Sequence, residues 1–447
     1  MGIAKERGVP RIVHESPMAD VLRGPRRIGR WERSRSVGKI RVFSRPSRGR
    51  DADWGNVVAP MRLLWVLPRF GGSTVGGAER LVGELATRGL PDGWSSEIAT
   101  TCAANHFTWE NELPPGESHE DGILVRRFEV GLRDGARYEQ LHPTILAEEG
   151  DYATELEWLA NSVWSSRLQR FLESNIGDYD LALFAPYFFG TTVWGAQVAP
   201  ERSALVPCLH DEPYARLVTV RRVLESVRGC VFNSAAEARL ARRLSEIRGF
   251  GVVGLGFDPP EDRASARFAD PRGIGRYVLY AGRIEEGKRV HIAVDYAIRH
   301  VAERPDAPRL VLIGSGSYQP PEEAKGIVVH AGFLNEAERR AAYAEAVALV
   351  NPSELESFSI VLMEAWREGT PALVAAGSDV MREHVEGCGG GFAFDSYQSY
   401  RDGLDRLLDD EELARRMGEA GREYVLDVYG WPAVRERLRA TIERLSP

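Results

Sequence analysis

Residues 351–371 read NPSELESFSIVLMEAWREGTP. The string opens with turn formers, Asn351, Pro352 and Ser353, and then places seven residues between Glu356 and Glu364. From Phe358 to Trp366 the residues are good helix formers, and Gly369 ahead of Pro371 must end the helix. This spacing predicts Glu356 in the loop before the helix and Glu364 about two turns inside it. The amides of Phe358, Ser359 and Ile360 then lack intrahelical partners and point outward with the positive end of the helix dipole. One free carboxylate, a ring of donors suited to phosphate and a second carboxylate further in make a site for a nucleotide sugar. Acidic residues also gather at helix starts simply because they complement the dipole, so the string has to be weighed with the segments around it.

At 447 residues the chain is too long for one ordinary domain. A hydrophobic content of 43%, with 10 Trp, 14 Tyr and 16 Phe, is ample for large cores. No apolar run approaches the length of a membrane span, and no signal-like apolar region follows the N-terminal charges. Cys102, Cys208, Cys230 and Cys388 are scattered and form no C-x-x-C pair. That argues against a disulfide framework and a zinc site and suits a reducing, cytoplasmic setting. Residues 1–50 hold 14 Lys/Arg against 4 Asp/Glu, a net of +10; with the whole chain at −8, residues 51–447 carry −18. So acidic a body is a poor nucleic-acid binder, whereas the basic arm could touch nucleic acid, or anionic lipid peripherally at the inner face of a membrane. The arm shows no sustained helical stripe, and residues 1–60 are expected to be a disordered extension. It reads equally well as upstream sequence translated from an early start, since Met61 opens a complete first strand.

Taken in order, the chain alternates strands and helices twice. Residues 63–67 (LLWVL) read as a buried strand. A loop with Gly71, Gly72, Gly76 and Gly77 follows, then an amphipathic helix from Ala78 to Arg88, the first unit of a doubly wound sheet. The glycine spacing is not G-x-G-x-x-G and no acidic residue closes a second strand, which argues against a dinucleotide site. Further strands are read at 95–103, 121–130, 180–187 and 203–213, and a strand followed by a helix at 229–244, capped at Asn233/Ser234. Residues 131–175 are helical, and their aromatics (Tyr138, Trp158, Trp164, Phe171) read as core. His210 ends a buried strand in CLHDEP, where ligands gather in an open α/β sheet; Asp211 and Glu212 follow, then the turn-favouring Pro213. Residues 249–259 (GFGVVGLGFDP) read as a Gly-rich hinge that permits closure. The pattern restarts with a strand from Tyr277 to Ala281, a turn at Gly282 and a helix from His291 to Arg299, with Arg283 and Lys288 in the loop between. Strands at 310–316, 327–332, 347–353, 371–377 and 389–395 complete a second sheet. Phe333 lies ahead of a helix capped near Asn335 with Glu338 in box position, and the last helices include 431–445.

The string PSELESFSIVLMEAWREGTP resembles the E-x7-E signature of retaining, GT-B-fold glycosyltransferases of family 4, and the resemblance runs from about Met61 to the C-terminus. The family commonly has Gly where this chain has Ser357 and Ser359, so a need for positive φ there would be met less readily. The GGAE loop at Gly76 and Gly77 is similar to the family's loop after the first strand, which faces the inter-domain cleft near the donor phosphates and the acceptor. CLHDEP resembles its H-D-x-P segment, which implies that His210 meets the acceptor or the donor sugar. GRIEEGK resembles its G-R-x-x-x-x-K segment, which implies that Arg283 and Lys288 clamp the donor diphosphate and stabilise its departure. The loop at Gly332 and Phe333 stands where the family reads the donor base. Glu383 and His384 lie where it has a P-E-V segment, with Gly and Pro replaced here. The resemblance further implies that Glu364 binds ribose hydroxyls, that Glu356 binds hydroxyls of the sugar ring, and that Ser357, Phe358 and Ser359 hold the diphosphate.

The implied fold is α/β, GT-B: two Rossmann-like doubly wound domains facing across a cleft. Residues 61–250, completed by a helix at about 430–447, would form the acceptor domain, and 251–429 the donor domain. The implied activity is transfer of a sugar, with retention, from a nucleoside-diphosphate sugar to a hydroxyl on a glycan, lipid-linked sugar or small molecule. No cofactor is expected. No D-x-D cluster stands out, and a helix terminus with two cations can replace a metal. A two-carboxylate glycosidase fits poorly, because one carboxylate is inside a helix and the cations would have no purpose. A GT-B epimerase or phosphorylase, or a non-catalytic sugar-nucleotide binder, would use a similar cleft.

Overall fold

The computed structural model describes residues 60–72, 76–260 and 267–447; the basic arm, with its expected disorder and membrane contact, lies outside them. The first sheet comprises β1 (Arg62–Val66), β2 (Ser95–Thr101), β3 (Gly116–Glu120), β4 (Ile123–Phe128), β5 (Leu181–Phe184), β6 (Ser203–Leu205), β7 (Gly229–Phe232) and β8 (Phe250–Val252). Their order is β3-β4-β2-β1-β5-β6-β7-β8, parallel except for the β3/β4 hairpin. The second sheet comprises β9 (Tyr277–Ala281), β10 (Arg309–Ile313), β11 (Val328–Gly332), β12 (Leu349–Asn351), β13 (Ala372–Ala375) and β14 (Gly391–Phe394), all parallel in the order β11-β10-β9-β12-β13-β14.

This topology positions the site. In each sheet the chain order reverses beside the first strand: β1 lies between β2 and β5, and β9 between β10 and β12. The crevice at such a switch point is where open α/β sheets bind ligands. The loop after β1 carries the glycines, the loop after β9 carries Arg283 and Lys288, and the loop after β12 carries Glu356. Runs such as LALF in β5 and YVLYA in β9 are buried throughout, as strands covered on both faces must be.

Two readings of the sequence change in detail, and the helical reading of 131–175 gains its boundaries. Phe250–Val252, expected in the hinge, pairs with β7 as an edge strand and shortens the connection. The β3/β4 hairpin was not anticipated, because GESHE is polar and mostly exposed and carries no strand-like alternation. Residues 131–175 are three helices, Gly135–Leu146, Tyr152–Ala160 and Ser166–Asn175, and Trp158 is fully buried among them. No described helix is long and apolar enough to cross a membrane.

The helix Trp431–Leu445 returns to the first sheet. Leu438, Ile442 and Leu445 are buried, and a Cβ on Gly251 of β8 would stand 1.9 Å from Thr441 Oγ1, so the helix lies close against the strand. The two crossings between the halves are bonded to each other: Phe257 N donates to Tyr429 O at 2.7 Å, and Arg437 Nη2 donates to Val253 O at 2.8 Å. Gly254 takes φ +74, and a Cβ there would come within 2.6 Å of the Tyr429 ring and 3.0 Å of Phe358. Glycine satisfies both the left-handed backbone and the close approach.

His384 closes this hinge from the helix Asp379–Cys388. Its ring is buried against Phe358, Tyr424 and Tyr429, and Nδ1 pairs with Tyr424 Oη at 2.9 Å. Burial pushes its pKa down from 6.5 to about 4. The unfolded chain therefore takes up this proton near pH 6.5 while the folded chain resists until about 4, so stability is complete above that window and is lost as pH falls through it. Urea unfolding should show a smaller loss of stability between pH 7 and pH 5 for His384→Phe than for the parent. An equal loss in both would show that His384 does not carry the effect.

Candidate active site

The signature loop begins as β12 ends at Asn351. The Asn351 carboxamide accepts from Ser353 N at 3.1 Å and donates through Nδ2 to Ser359 Oγ at 3.1 Å, spanning the loop. Ser359 is the N-cap of the helix Ile360–Arg367, with φ 66 and ψ 74, and is buried. It thus holds the left-handed conformation that a glycine would take without strain. The helix starts two residues later than its composition predicts, so Glu364 is its fifth residue and lies little more than one turn in. The orphan amides correspondingly become those of Ser359, Ile360 and Val361. Phe358 turns its ring into the hinge, meeting Tyr429 edge-on at 4.9 Å and stacking 6.4 Å from Phe257.

Ahead of that helix, charges from both halves meet. Lys288, at the end of a short turn after β9, places Nζ 2.7 Å from Glu356 Oε1 and 3.2 Å from Leu355 O. Burial pushes the Glu356 carboxyl upward, but Lys288 foremost, and His210 from the opposite half, hold it below the ordinary carboxylate range. His210 Nδ1 lies 3.3 Å from Glu212 Oε1, the same oxygen that accepts from Tyr187 Oη at 2.5 Å. Glu212 is also within electrostatic reach of Lys288. His210, Glu212, Lys288 and Glu356 therefore face one another across the cleft.

Glu364 is only 2% exposed. Its Oε1 is 2.5 Å from Arg80 Nη1 and 2.8 Å from Arg339 Nη1, and its Oε2 accepts from Tyr343 Oη at 2.8 Å. Burial pushes this carboxyl upward, and Arg80, then Arg339, then the Tyr343 hydroxyl bring it below its usual value. Arg339 and Tyr343 come from the helix Glu336–Ala344, whereas Arg80 comes from Gly77–Arg88 in the first half. These three partners were not found from the sequence.

Residues 263–424 match the family described as Glycosyl transferases group 1. That segment is a group 1 glycosyl transferase domain. A D-inositol 3-phosphate glycosyltransferase of Nocardia farcinica is 26% identical over 373 residues, covering 75% of this chain and 76% of that one. A phosphatidyl-myo-inositol mannosyltransferase of Mycobacterium leprae is 29% identical over 294 residues, 63% of this chain and 77% of its own. The solved structure of Anabaena HepE in complex with UDP and glucose superposes with a TM-score of 0.62 at 17% identity, covering 86% of this chain and 99% of that one. The fold is GT-B and the activity class is glycosyl transfer, as the signature string implies.

The remaining residues singled out in the sequence are spread along this glycosyltransferase's cleft. Gly76 caps the helix Gly77–Arg88, and a Cβ there would come 2.0 Å from Glu79 Oε2. Glu79 is ion-paired to Arg69 at 2.5 Å rather than merely complementing the helix start. Ser357 hydrogen-bonds Cys208 of the first half. Arg283 stands further out, half exposed and paired with Glu285 at 3.0 Å. Phe333, just past β11, is 66% exposed, which leaves its ring face open. Glu383 pairs with Arg239 across the cleft. His106, unnoticed in the sequence, lies within reach of Arg69, Arg283 and Glu285, with a buried Nε2 that has no partner. Among the described residues no group of three His, Cys, Asp or Glu side chains is placed to hold a metal ion.

The strain at Ser359 can be isolated by two substitutions. Ser359→Ala keeps the left-handed backbone and leaves Asn351 Nδ2 without its acceptor, an expected cost of about 1–2 kcal/mol. Ser359→Gly loses the same bond but relieves roughly 1 kcal/mol of left-handed strain. The Gly variant should therefore be the more stable of the two by about 1 kcal/mol in urea unfolding; an Ala variant of equal or greater stability contradicts the strained cap.

Proposed function

We propose that this glycosyltransferase moves a sugar from a nucleoside-diphosphate sugar to an acceptor hydroxyl with retention of configuration and without a metal ion. The observation that carries the reading is the convergence of Lys288, Glu356 and Glu364 on the first turn of the helix Ile360–Arg367, with His210 facing them from the other half. The superposed HepE structure is described with UDP, which supports a nucleoside-diphosphate donor. The two relatives are named for inositol-containing acceptors, which supports a polyhydroxylated ring or a glycolipid headgroup as acceptor here.

In this reading the diphosphate lies on the amides of Ser359 and Ile360, where the helix dipole is positive. Lys288, released from Glu356, and Arg283 stabilise the negative charge that grows as the glycosidic bond breaks. Glu356 then takes hydroxyls of the sugar ring. The acceptor oxygen bonds to the anomeric carbon on the face from which the diphosphate leaves. The bonding pair of the broken C–O bond goes to the phosphate oxygen, which also receives the acceptor's proton. The cations and the helix end supply the positive charge that a metal would otherwise bring. Glu356 is neutralised by Lys288 before substrate arrives and is a hydrogen-bonding group rather than a nucleophile.

Glu364 would receive the ribose hydroxyls. A carboxylate has about four acceptor positions, and Arg80, Arg339 and Tyr343 already take three. Two ribose hydroxyls can be accepted only if a partner yields, and Arg80, from the opposite half and 31% exposed, is the one that domain opening removes.

Thermal shifts with UDP, GDP, ADP and CDP in the presence of chelator test this reading. At a hundred times its dissociation constant a ligand adds about 2.7 kcal/mol to stability. One nucleotide should stabilise the parent and neither Lys288→Ala nor Glu364→Ala, and Arg80→Ala should bind that nucleotide roughly three- to tenfold more tightly because the competing pair is gone. No shift with any nucleotide contradicts the donor site. Weaker binding by Arg80→Ala would place Arg80 on the nucleotide instead.

A further inference from the structure

The proposed function leaves open which nitrogen of His210 meets the substrate, and the surroundings of Glu212 decide it. Glu212 Oε1 faces two groups at once, Tyr187 Oη at 2.5 Å and His210 Nδ1 at 3.3 Å. Tyr187 is buried, and burial together with Glu212 keeps its hydroxyl protonated well above the usual range, so Tyr187 donates. Burial pushes the Glu212 carboxyl upward as well, but the contacts with His210 and Tyr187, and the field of Lys288, bring it below its usual value. Glu212 is therefore an ionised group that can only accept. The ring nitrogen that faces it must carry the hydrogen.

From this we infer that Glu212 is a positioning residue that fixes the neutral His210 ring as the Nδ1–H tautomer, leaving Nε2 of that ring as a lone-pair nitrogen to accept a hydrogen bond from the acceptor hydroxyl. The local fold is built for this. Glu212 caps the turn Pro213–Arg216 in extended conformation, and its amide donates to His210 O at 3.0 Å, so the chain doubles back and sets the carboxylate beside the imidazole two residues earlier. The neighbouring acid, Asp211, is taken by Arg216 and is not a competitor for the ring. Across the cleft His210 is close enough to act on Glu356, itself held by Lys288. The acceptor hydroxyl, oriented by Nε2, is thus presented beside the carboxylate assigned to the donor sugar. His210 orients the nucleophile and gives nothing up; the proton still ends on the departing phosphate. The role of the pair in transfer rests on the proposed function, whereas the tautomer does not.

Long-range 1H–15N correlation spectra of the full chain with 15N-labelled histidine test the inference, with the His210 signals identified by their loss in His210→Gln. At mildly alkaline pH the unliganded parent should show a protonated Nδ1 and a bare Nε2 at His210. Glu212→Leu should move the ring towards the Nε2–H form and lower kcat by at least about tenfold with the donor KM unchanged. Glu212→Gln, whose carboxamide oxygen can still accept, should recover part of both. Tyr187→Phe, which leaves the His210–Glu212 pair in place, should keep the parent tautomer and guards against a general packing effect. A parent ring in the Nε2–H form, or the same tautomer in Glu212→Leu, overturns the inference. A tautomer that shifts as expected while His210→Gln keeps full transfer activity supports the positioning by Glu212 and rejects instead the assignment of His210 to the acceptor.

Discussion

Glu364 is an ionised carboxylate with almost no access to water, a state that is costly unless the charge is paired and its lone pairs are filled. Here the partners come from two different sheets. Arg339 and Tyr343 follow β11, and Arg80 follows β1. The carboxylate thus ties the two halves together with one set of oxygens, and the proposed function asks the same oxygens to receive a ribose. Lys288 and Glu356 form a second charge pair, this one within the second half, each satisfying the other; in the proposed reading a diphosphate and a sugar ring take their places.

The hinge is connected to this site through Phe358. That residue precedes the helix cap, yet its ring belongs to the hinge, against Gly254, Phe257, His384 and Tyr429. A rotation of the halves about the crossings at 253–258 and 429–431 therefore bears on the residue next to Ser359. Ser359 is a left-handed cap bridged to Asn351 through its hydroxyl, and in the proposed reading its segment faces the diphosphate. Strain of this sort persists only where the surroundings over-determine it, and it gathers where ligands are clamped.

Much of this was legible in the sequence because it follows from period and punctuation. Buried runs such as YVLYA could only be interior parallel strands, and the strand–loop–helix order repeated twice before and after a glycine-rich connection. Glu356, Lys288 and His210 were legible because residues at the carboxyl ends of such strands must face one crevice. The misses share a cause: each depended on tertiary contact. Phe358 is a good helix former, but its ring is more stable in the hinge, so the helix starts at Ile360. Phe250–Val252 carries a hinge-like composition yet gains a partner strand in β7. Arg80, Arg339 and Tyr343 lie far from Glu364 in sequence, and no local pattern marks a partner that arrives from another domain. Glu212 was given no role in the sequence, because the Tyr187 hydroxyl that shares its oxygen with His210 is 25 residues away.

A crystal structure with a bound nucleoside diphosphate would test the central claim most directly. The account predicts ribose hydroxyls on Glu364, the diphosphate on the amides of Ser359 and Ile360 with Lys288 turned to it, and Arg80 withdrawn from the carboxylate. A nucleotide bound elsewhere in the cleft, or one seated there with the Arg80–Glu364 pair intact, would contradict it.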